Sequence, residues 1–223
     1  MPICAICGRE VENVTDDHIP PKNLFSKIPE NRIVVPACLE CNGGTAKDDE
    51  YFRLLASEID TATHPQAKKP NEAIVRSLAR PEAAKFRESL RQQVYGLQIS
   101  ESDPSQITPF LGLDVQRLDR TVNKIVKGLF YHVRGYPVPA AYKVLATNLD
   151  LFMEKPNSVE LAKLIRNYLL PKCSWVTPTV IGEGVFTYQF FSEDDDPNTA
   201  FVLMMFYGRW RFFGFVMEAG FGD

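Results

Sequence analysis

The sequence predicts an α+β fold, and three observations lead to this prediction. Two C-x-x-C pairs, Cys4/Cys7 and Cys38/Cys41, enclose a 30-residue segment close to the N-terminus. Apolar residues then recur at helical spacing through the middle of the chain, and after Pro171 the spacing changes to the two-residue alternation of strands. We therefore expect a cysteine-anchored domain over residues 1–60 and a second domain over residues 66–223, helical at first and ending in an antiparallel β-meander.

Composition and charge exclude several classes of protein. The 223-residue chain is 45% hydrophobic and 24% charged, which is incompatible with wholesale disorder. It contains no apolar run near the roughly 20 residues of a membrane-spanning helix, and its N-terminus lacks the basic and apolar regions of a secretory signal. We expect a cytoplasmic protein. The net charge of −3 hides an acidic first 50 residues followed by two basic stretches, 66–95 and 113–134.

The paired cysteines predict a structural zinc site. Each C-x-x-C turn directs two thiolates toward one point, and four thiolates suit tetrahedral Zn²⁺. A thioredoxin-like redox motif would not occur twice in 41 residues, and a reducing compartment disfavours disulfides. Cys173 stands alone, and we expect it to be a buried small residue.

The enclosed segment reads as strand, loop, strand and helix. Asp17-His18 is followed by Pro20-Pro21, which should end the first strand, and Val34-Val35 should end the second. Thr45 to Asp48 has the form of a capping box, with Asp in place of the preferred Glu. The apolar spacing from Asp49 to Ile59 predicts a helix.

Residues 1–55 resemble an HNH endonuclease domain, the ββα-metal fold in its zinc-knuckle variant. The shared pattern is C-x-x-C, Asp-His-x-x-Pro, an Asn before a short strand, and C-x-x-C-Asn. The resemblance implies that His18 is the general base and that Asp17 and Asn42 hold one catalytic Mg²⁺ or Mn²⁺. It also implies that Asn31 orients the His18 loop and that the zinc stays structural. One departure is that Lys47 lies further from the last cysteine than in many members.

These residue types suit phosphodiester hydrolysis independently of the resemblance. The reaction needs a deprotonated water and a cation that neutralises charge on the phosphate. An imidazole can accept a proton near neutral pH, and carboxylate and amide oxygens are hard ligands suited to Mg²⁺ or Mn²⁺.

Structural alternatives stay open for each candidate. His18 and Asn31 could serve only in turns, and Asn42 could be a helix N-cap. The acidic residues at 48–50 could form a favourable first helical turn, or one of them could replace Asn42 as metal ligand. We assign no role to His64 in a linker, and we expect His132 to be a core histidine.

The remaining three quarters of the chain contain no chemical motif. Helices are predicted over 71–75, 83–94, 114–134 and 158–169, a loop over 96–109, and strands over 175–181, 185–191, 201–207 and 210–216. In the longest helix the basic residues should lie mostly on the face opposite the apolar one. The aromatic residues of the strands should form core, although a stacking platform for single strands is an alternative.

The function expected from these features is metal-dependent hydrolysis of DNA, duplex or nicked, with RNA the weaker alternative. The helices of the two basic stretches would contact phosphates without reading sequence. The competing hypothesis is a non-catalytic, zinc-binding nucleic-acid-binding module. The sequence leaves open whether the chain acts as a homodimer.

Overall fold

The computed structural model describes residues 1–58, 64–98, 107–156, 158–192 and 195–220, and it confirms a mixed α+β architecture. The strands are β1 (Thr15–Ile19), β2 (Ile33–Ala37), β3 (Val94–Gln98), β4 (Ile107–Leu111), β5 (Tyr142–Asn148), β6 (Thr179–Ile181), β7 (Phe186–Phe191), β8 (Ala200–Phe206) and β9 (Trp210–Glu218). The α-helices are α1 (Leu39–Gly43), α2 (Ala46–Glu58), α3 (Lys68–Leu78), α4 (Ala84–Arg91), α5 (Val115–Arg134), α6 (Leu149–Glu154), α7 (Val159–Leu164) and α8 (Leu170–Cys173).

The N-terminal segment has the predicted order of strand, loop, strand and helix. β1 and β2 pair antiparallel, with Asp17 opposite Val35 and His18 opposite Val34. Two boundaries were predicted wrongly: Val34 and Val35 lie inside β2 because pairing continues to Ala37, and α2 begins at Ala46 instead of Asp49. Position 59, predicted as the end of this helix, lies outside the described residues.

Helix α5 matches its prediction closely in length. The side chain of Asp114 accepts a hydrogen bond from the Arg117 amide as N-cap, and Gly135 ends the helix with φ +79°. The expected segregation of charge is wrong at Lys124, which is 3% exposed within the inner stripe. His132 is exposed instead of buried, in the last turn of α5.

The C-terminal sheet is antiparallel, as predicted, but it has five strands in the order β5-β9-β8-β7-β6. The sequence analysis missed β5, an edge strand that pairs with β9. It also placed the start of the first strand near 175, whereas β6 begins at Thr179. Most of the aromatic side chains are core, as expected, since the following are no more than 7% exposed: Phe186, Tyr188, Phe201, Phe206, Tyr207, Phe212, Phe213 and Phe215.

Other elements differ in extent from their predictions. The segment predicted as a loop over 96–109 contains most of a hairpin, β3 paired with β4, and positions 99–106 lie outside the described residues. The helix predicted to end at 169 continues through a π-helical stretch, Ile165–Leu169, into α8. Pro171, which has no N–H to donate, directly follows the π-helical stretch, at whose end the Leu170 amide donates to the Ile165 carbonyl five residues earlier.

Two glycines allow α5 to pack closely against both sheets. A Cβ added at Gly128 would lie 2.5 Å from Ile19 Cδ1 of β1, and one at Gly214 of β9 would lie 2.2 Å from Val126 Cγ2. The main core is therefore continuous from β1 and β2 through α5 to the five-stranded sheet. Among the described helices, none combines the length and the apolar character needed to cross a bilayer.

Candidate functional site

Four cysteines converge next to the β1–β2 hairpin. The sulfur atoms of Cys4, Cys7, Cys38 and Cys41 all lie within 4.8 Å of one another. Cys4 and Cys7 belong to a tight turn that ends at Gly8, whose φ of +71° requires glycine, and Cys38 and Cys41 lie at the start of α1. Four thiolates on a tetrahedral Zn²⁺ are separated by about 3.8 Å, so small side-chain adjustments would complete the site.

The chemistry of the cluster also suits a metal. All five cysteines of the chain are free thiols, and Cys173 is buried as predicted. Burial tends to raise the pKa of Cys7, but hydrogen bonding to Arg9, whose Nε lies 3.3 Å from the Cys7 sulfur, outweighs it and lowers the pKa to about 6. Cys7 is therefore readily available as a thiolate ligand, whereas burial raises the pKa of both Cys4 and Cys41. The four cysteines can hold a metal such as zinc, with no position left for substrate.

Asp17 lies on the face of β1 that packs into the protein. Its residue is 4% exposed, and its Oδ2 is buried and accepts no hydrogen bond from the described residues. The nearest cation is the ammonium of Lys124 on α5, 3.6 Å from Oδ2. Burial, opposed by Lys124 and reinforced by the charge of Asp49, raises the pKa of Asp17 to about 6.

Lys124 connects Asp17 to α2. Its Nζ donates to Asp49 Oδ2 at 2.7 Å and to Thr45 Oγ1 at 2.9 Å. The other oxygen of Asp49, Oδ1, accepts a hydrogen bond from Thr121 Oγ1 at 3.2 Å. One buried cation therefore serves two buried carboxylates, from β1 and α2. We call Asp17, Asp49 and Lys124 the buried triad.

Asp48 and Glu50 are also engaged by neighbouring side chains. Asp48 accepts from Arg117 Nε at 2.9 Å and from Arg120 Nε at 2.7 Å, both on α5. Glu50 Oε1 accepts from Ser77 Oγ at 2.8 Å. The expected capping box between Thr45 and Asp48 is wrong, because the Thr45 hydroxyl bonds to Asp49 and Lys124 and the Asp48 carboxylate turns toward α5.

His18 follows Asp17 on β1 and is half-buried. Burial lowers its pKa, and the positive charges of Lys22 and Arg32 lower it further, against the opposing charge of Asp16. The imidazole is therefore predominantly neutral at neutral pH and free to accept a proton. Asp16, two residues earlier on the strand, is a nearby carboxylate that the sequence reasoning did not single out; the two-residue alternation of a strand was the signal for it.

Asn42 docks the segment after the last cysteine onto β1. Its Nδ2 donates to Thr15 Oγ1 at 2.8 Å and to the Asp16 carbonyl at 3.2 Å. Thr15 shares a strand face with Asp17, so Asn42 lies on the Asp17 side of β1. Asn42 is inside α1, whose N-cap is Cys38, and so the alternative that it is an N-cap is wrong.

Asn31 is tied to the C-terminal sheet. Its Nδ2 donates to the Val180 carbonyl at 2.7 Å, and its Oδ1 accepts a 3.5 Å bond from the Gly182 amide. These bonds fix the loop before β2 against β6 and the turn that follows it. Asn31 thereby positions the loop relative to the sheet, and its hydrogen bonds do not go to the His18 loop.

His64 and Lys124 show what the sequence reasoning missed. The Nδ1 of His64 accepts a hydrogen bond from the Gln66 amide, so His64 is the N-cap of a 3₁₀ turn, Pro65–Ala67. The basic residues of α5 were expected mostly on its outer face, and the burial of Lys124 was not predicted. Its position one helical turn after Thr121 and one before Gly128, inside an apolar stripe, was the signal for a buried ion pair.

Comparisons of the chain with protein-family models, with curated proteins and with solved structures found no match.

Proposed function

We propose that this protein is a metal-dependent endonuclease of the HNH type that hydrolyses DNA phosphodiester bonds. The observation that carries the proposal is the docking of Asn42 on β1, which places the residue after the last cysteine beside the strand that carries Asp17 and His18. The convergence of the four cysteines next to the same hairpin supports it. The resemblance of residues 1–55 supplies the identity of the reaction.

His18 would act as the general base. Its lowered pKa keeps the imidazole neutral, so that it can take the proton of a water as the water oxygen forms its bond to phosphorus. The bond from phosphorus to the 3′ oxygen breaks, and that oxygen must gain a proton. The products would carry a 5′-phosphate and a 3′-hydroxyl.

Asp17 and Asn42 would hold the catalytic divalent ion. Their carboxylate and amide oxygens are hard donors of the kind that Mg²⁺ and Mn²⁺ prefer, and the unbonded Oδ2 of Asp17 can accept a cation. Both hydrogen bonds of Asn42 use its nitrogen, which leaves the carbonyl oxygen for a metal. When bound, the ion would neutralise charge on the scissile phosphate.

One observation favours a second function, a zinc-stabilised nucleic-acid-binding module without catalysis. Asp17 is only 4% exposed and already has Lys124 within 3.6 Å. If that pairing persists when DNA is bound, the chain has the frame of a nuclease without an available carboxylate ligand.

Cleavage of supercoiled plasmid distinguishes the two functions. The protein would be incubated with DNA and with Mg²⁺, Mn²⁺ or no added divalent ion, beside His18→Ala, Asp17→Asn and a control, His132→Ala, which alters an exposed histidine on α5. We expect divalent-dependent nicking that is lost in the first two variants and retained in the control, at equal zinc content. Absence of cleavage with retained DNA binding would establish the binding module. Cleavage that survives His18→Ala would refute His18 as the base.

A further inference from the structure

A cleft of about 430 Å³ lies between α2, α3 and the loop that follows β1. Lys69, Ala73 and Arg76 line it from α3, at the three- and four-residue spacing that places them on one face of the helix. Phe25 lines it from the loop, and Arg53 lines it from α2. We call this the α2–α3 cleft.

The guanidinium of Arg53 is incompletely bonded. Its side chain is 13% exposed, and its Nε is buried without a hydrogen-bond partner among the described residues. Its ion pair with Glu50 Oε1 is long, 3.4 Å, and that oxygen also accepts from Ser77 at 2.8 Å. A mostly buried cation with open donors is costly unless an acceptor reaches it. An anion entering the cleft would provide that acceptor.

The other charged residues of the cleft reinforce its positive character. Lys69 and Arg76 are exposed at the rim, and the carboxylate there is Glu72. The Glu72–Arg76 pair is 4.0 Å long, with side chains 49% and 70% exposed, so it constrains Arg76 weakly. With Arg53, the lining carries three positive charges and one negative charge.

The cleft also contains an unmet acceptor. Oδ1 of Asn23 is buried without a hydrogen-bond partner among the described residues. A ligand that pairs an anionic group with a hydroxyl or amino group would satisfy both Arg53 and Asn23. A phosphate ester of a sugar has this combination, and guanidinium groups bind phosphate through two parallel hydrogen bonds.

The basic residues of α5 are less available for binding phosphate than those of the cleft. Arg117 and Arg120 bind Asp48, and Lys124 is buried against Asp49. Three of the five basic residues of α5 are thus engaged by carboxylates, whereas Lys69 and Arg76 of α3 are exposed.

We propose that the α2–α3 cleft binds a phosphate group through Arg53, Lys69 and Arg76. This deepens the proposed function and rests on it: the phosphate is taken to be one of the DNA backbone, because the loop that lines the cleft, residues 23–26, follows the strand that carries His18. A free phosphate ester offers the same chemistry, and the experiment separates the two sources.

The first arm measures DNA binding by fluorescence anisotropy of a labelled duplex with the full chain. Every protein carries His18→Ala and no divalent ion is added, so that cleavage does not interfere. The test variants are Lys69→Ser and Arg76→Ser, and the matched control is Lys68→Ser, an exposed lysine one residue away that does not line the cleft. We expect each test variant to weaken binding about fivefold to tenfold in about 0.1 M salt and to reduce the salt slope by about 1, and the control to change neither.

The second arm measures the shift in melting temperature produced by inorganic phosphate and by a nucleoside monophosphate, against chloride at equal ionic strength. If Lys69→Ser and Arg76→Ser abolish the rise in melting temperature but leave the affinity for DNA unchanged, the cleft binds phosphate. In that case the phosphate does not come from DNA. Test variants indistinguishable from Lys68→Ser in both arms overturn the proposal. Neither arm measures cleavage, so the results can be interpreted even if the protein is not a nuclease. The substitutions are made at exposed residues because replacement of the mostly buried Arg53 could unfold the protein.

Discussion

The ammonium of Lys124 lies 2.7 Å from Asp49 Oδ2, and the two side chains are 3% and 10% exposed. The same ammonium lies 3.6 Å from Asp17 Oδ2, so α5 supplies positive charge to buried carboxylates of both β1 and α2. A buried ion pair gains little over an apolar pair, but removal of one member leaves a buried charge without compensation. This asymmetry makes the buried triad a sensitive test of the fold.

We expect Lys124→Met to destabilise the protein by about 3–5 kcal/mol, since it leaves two buried carboxylates without their cation. Urea unfolding followed by circular dichroism would measure this change. Lys127→Met, which alters a half-buried lysine on the same helix, is the control and should cost much less. Adding Asp49→Asn to Lys124→Met should restore part of the loss, and equal stability of Lys124→Met and the unaltered chain would show that the triad does not form.

Metal content tests the cysteine cluster directly. Cys38→Ser should reduce bound zinc from one equivalent to near none and lower the melting temperature, because the site joins the N-terminal turn to α1. Cys173→Ser removes a buried thiol outside the cluster and should retain the zinc. Elemental analysis of the purified proteins decides the matter: stoichiometric zinc in Cys38→Ser would exclude the four-cysteine site.

Close packing of α5 on β1 predicts a specific steric conflict. Gly128→Ala would place a methyl carbon 2.5 Å from Ile19 Cδ1, so we expect a loss of about 1–3 kcal/mol even though alanine favours helix by about 1 kcal/mol. Denaturant unfolding would measure it, with Gly43→Ala as the control, since a Cβ at Gly43 meets nothing within 4 Å. Ile19→Ala should cost less in the Gly128→Ala background than alone; strict additivity would argue against the contact.

Asp119 on α5 provides a prediction about pH. Burial raises its pKa above 3.8 against the opposing hydrogen bond with Thr147, and its Oδ1 is buried without a partner among the described residues. A carboxyl whose pKa is raised by folding contributes most stability below its unfolded pKa and loses that contribution as pH rises through the folded pKa. Asp119→Asn should therefore melt at a higher temperature than the unaltered chain at neutral pH, and the difference should shrink as pH falls toward about 3.9.

Melting curves over this pH range would check it, with Asp195→Asn as an exposed control. If the difference in melting temperature between Asp119→Asn and the unaltered chain grows as the pH falls, folding lowers the pKa of Asp119 instead of raising it.

Local patterns in the sequence predicted several parts of this structure. The C-x-x-C spacing identified the cysteine cluster, and the enrichment in β-branched and aromatic residues between turn sequences located most of β7, β8 and β9. Helix α5 was predicted to within a residue at its start, because apolar residues recur at three- and four-residue spacing from Val115 to Phe130. These features depend on neighbours in the chain, which a sequence displays directly.

The features that the sequence did not predict depend on distant partners. Nothing near Lys124 shows that Asp49 and Asp17 will meet it, and nothing near Tyr142 shows that β9 will pair with β5. The hydrogen bond from Asn31 to Val180 spans 149 positions, so the role of this asparagine in fixing a loop to the sheet is visible only in three dimensions. The α2–α3 cleft is likewise formed by three separate segments.

The position of β9 between β5 and β8 has a consequence for biosynthesis. A ribosome completes α5 and β5 well before residue 210, where β9 begins. Because β5 pairs with β9 in this sheet, β5 cannot form its strand pair until β9 has been synthesised. Val126 on α5 remains without part of its packing over the same interval, since its side chain packs against Gly214 of β9. Until translation reaches the last strand, the emerging chain exposes apolar surface of the kind that chaperones bind.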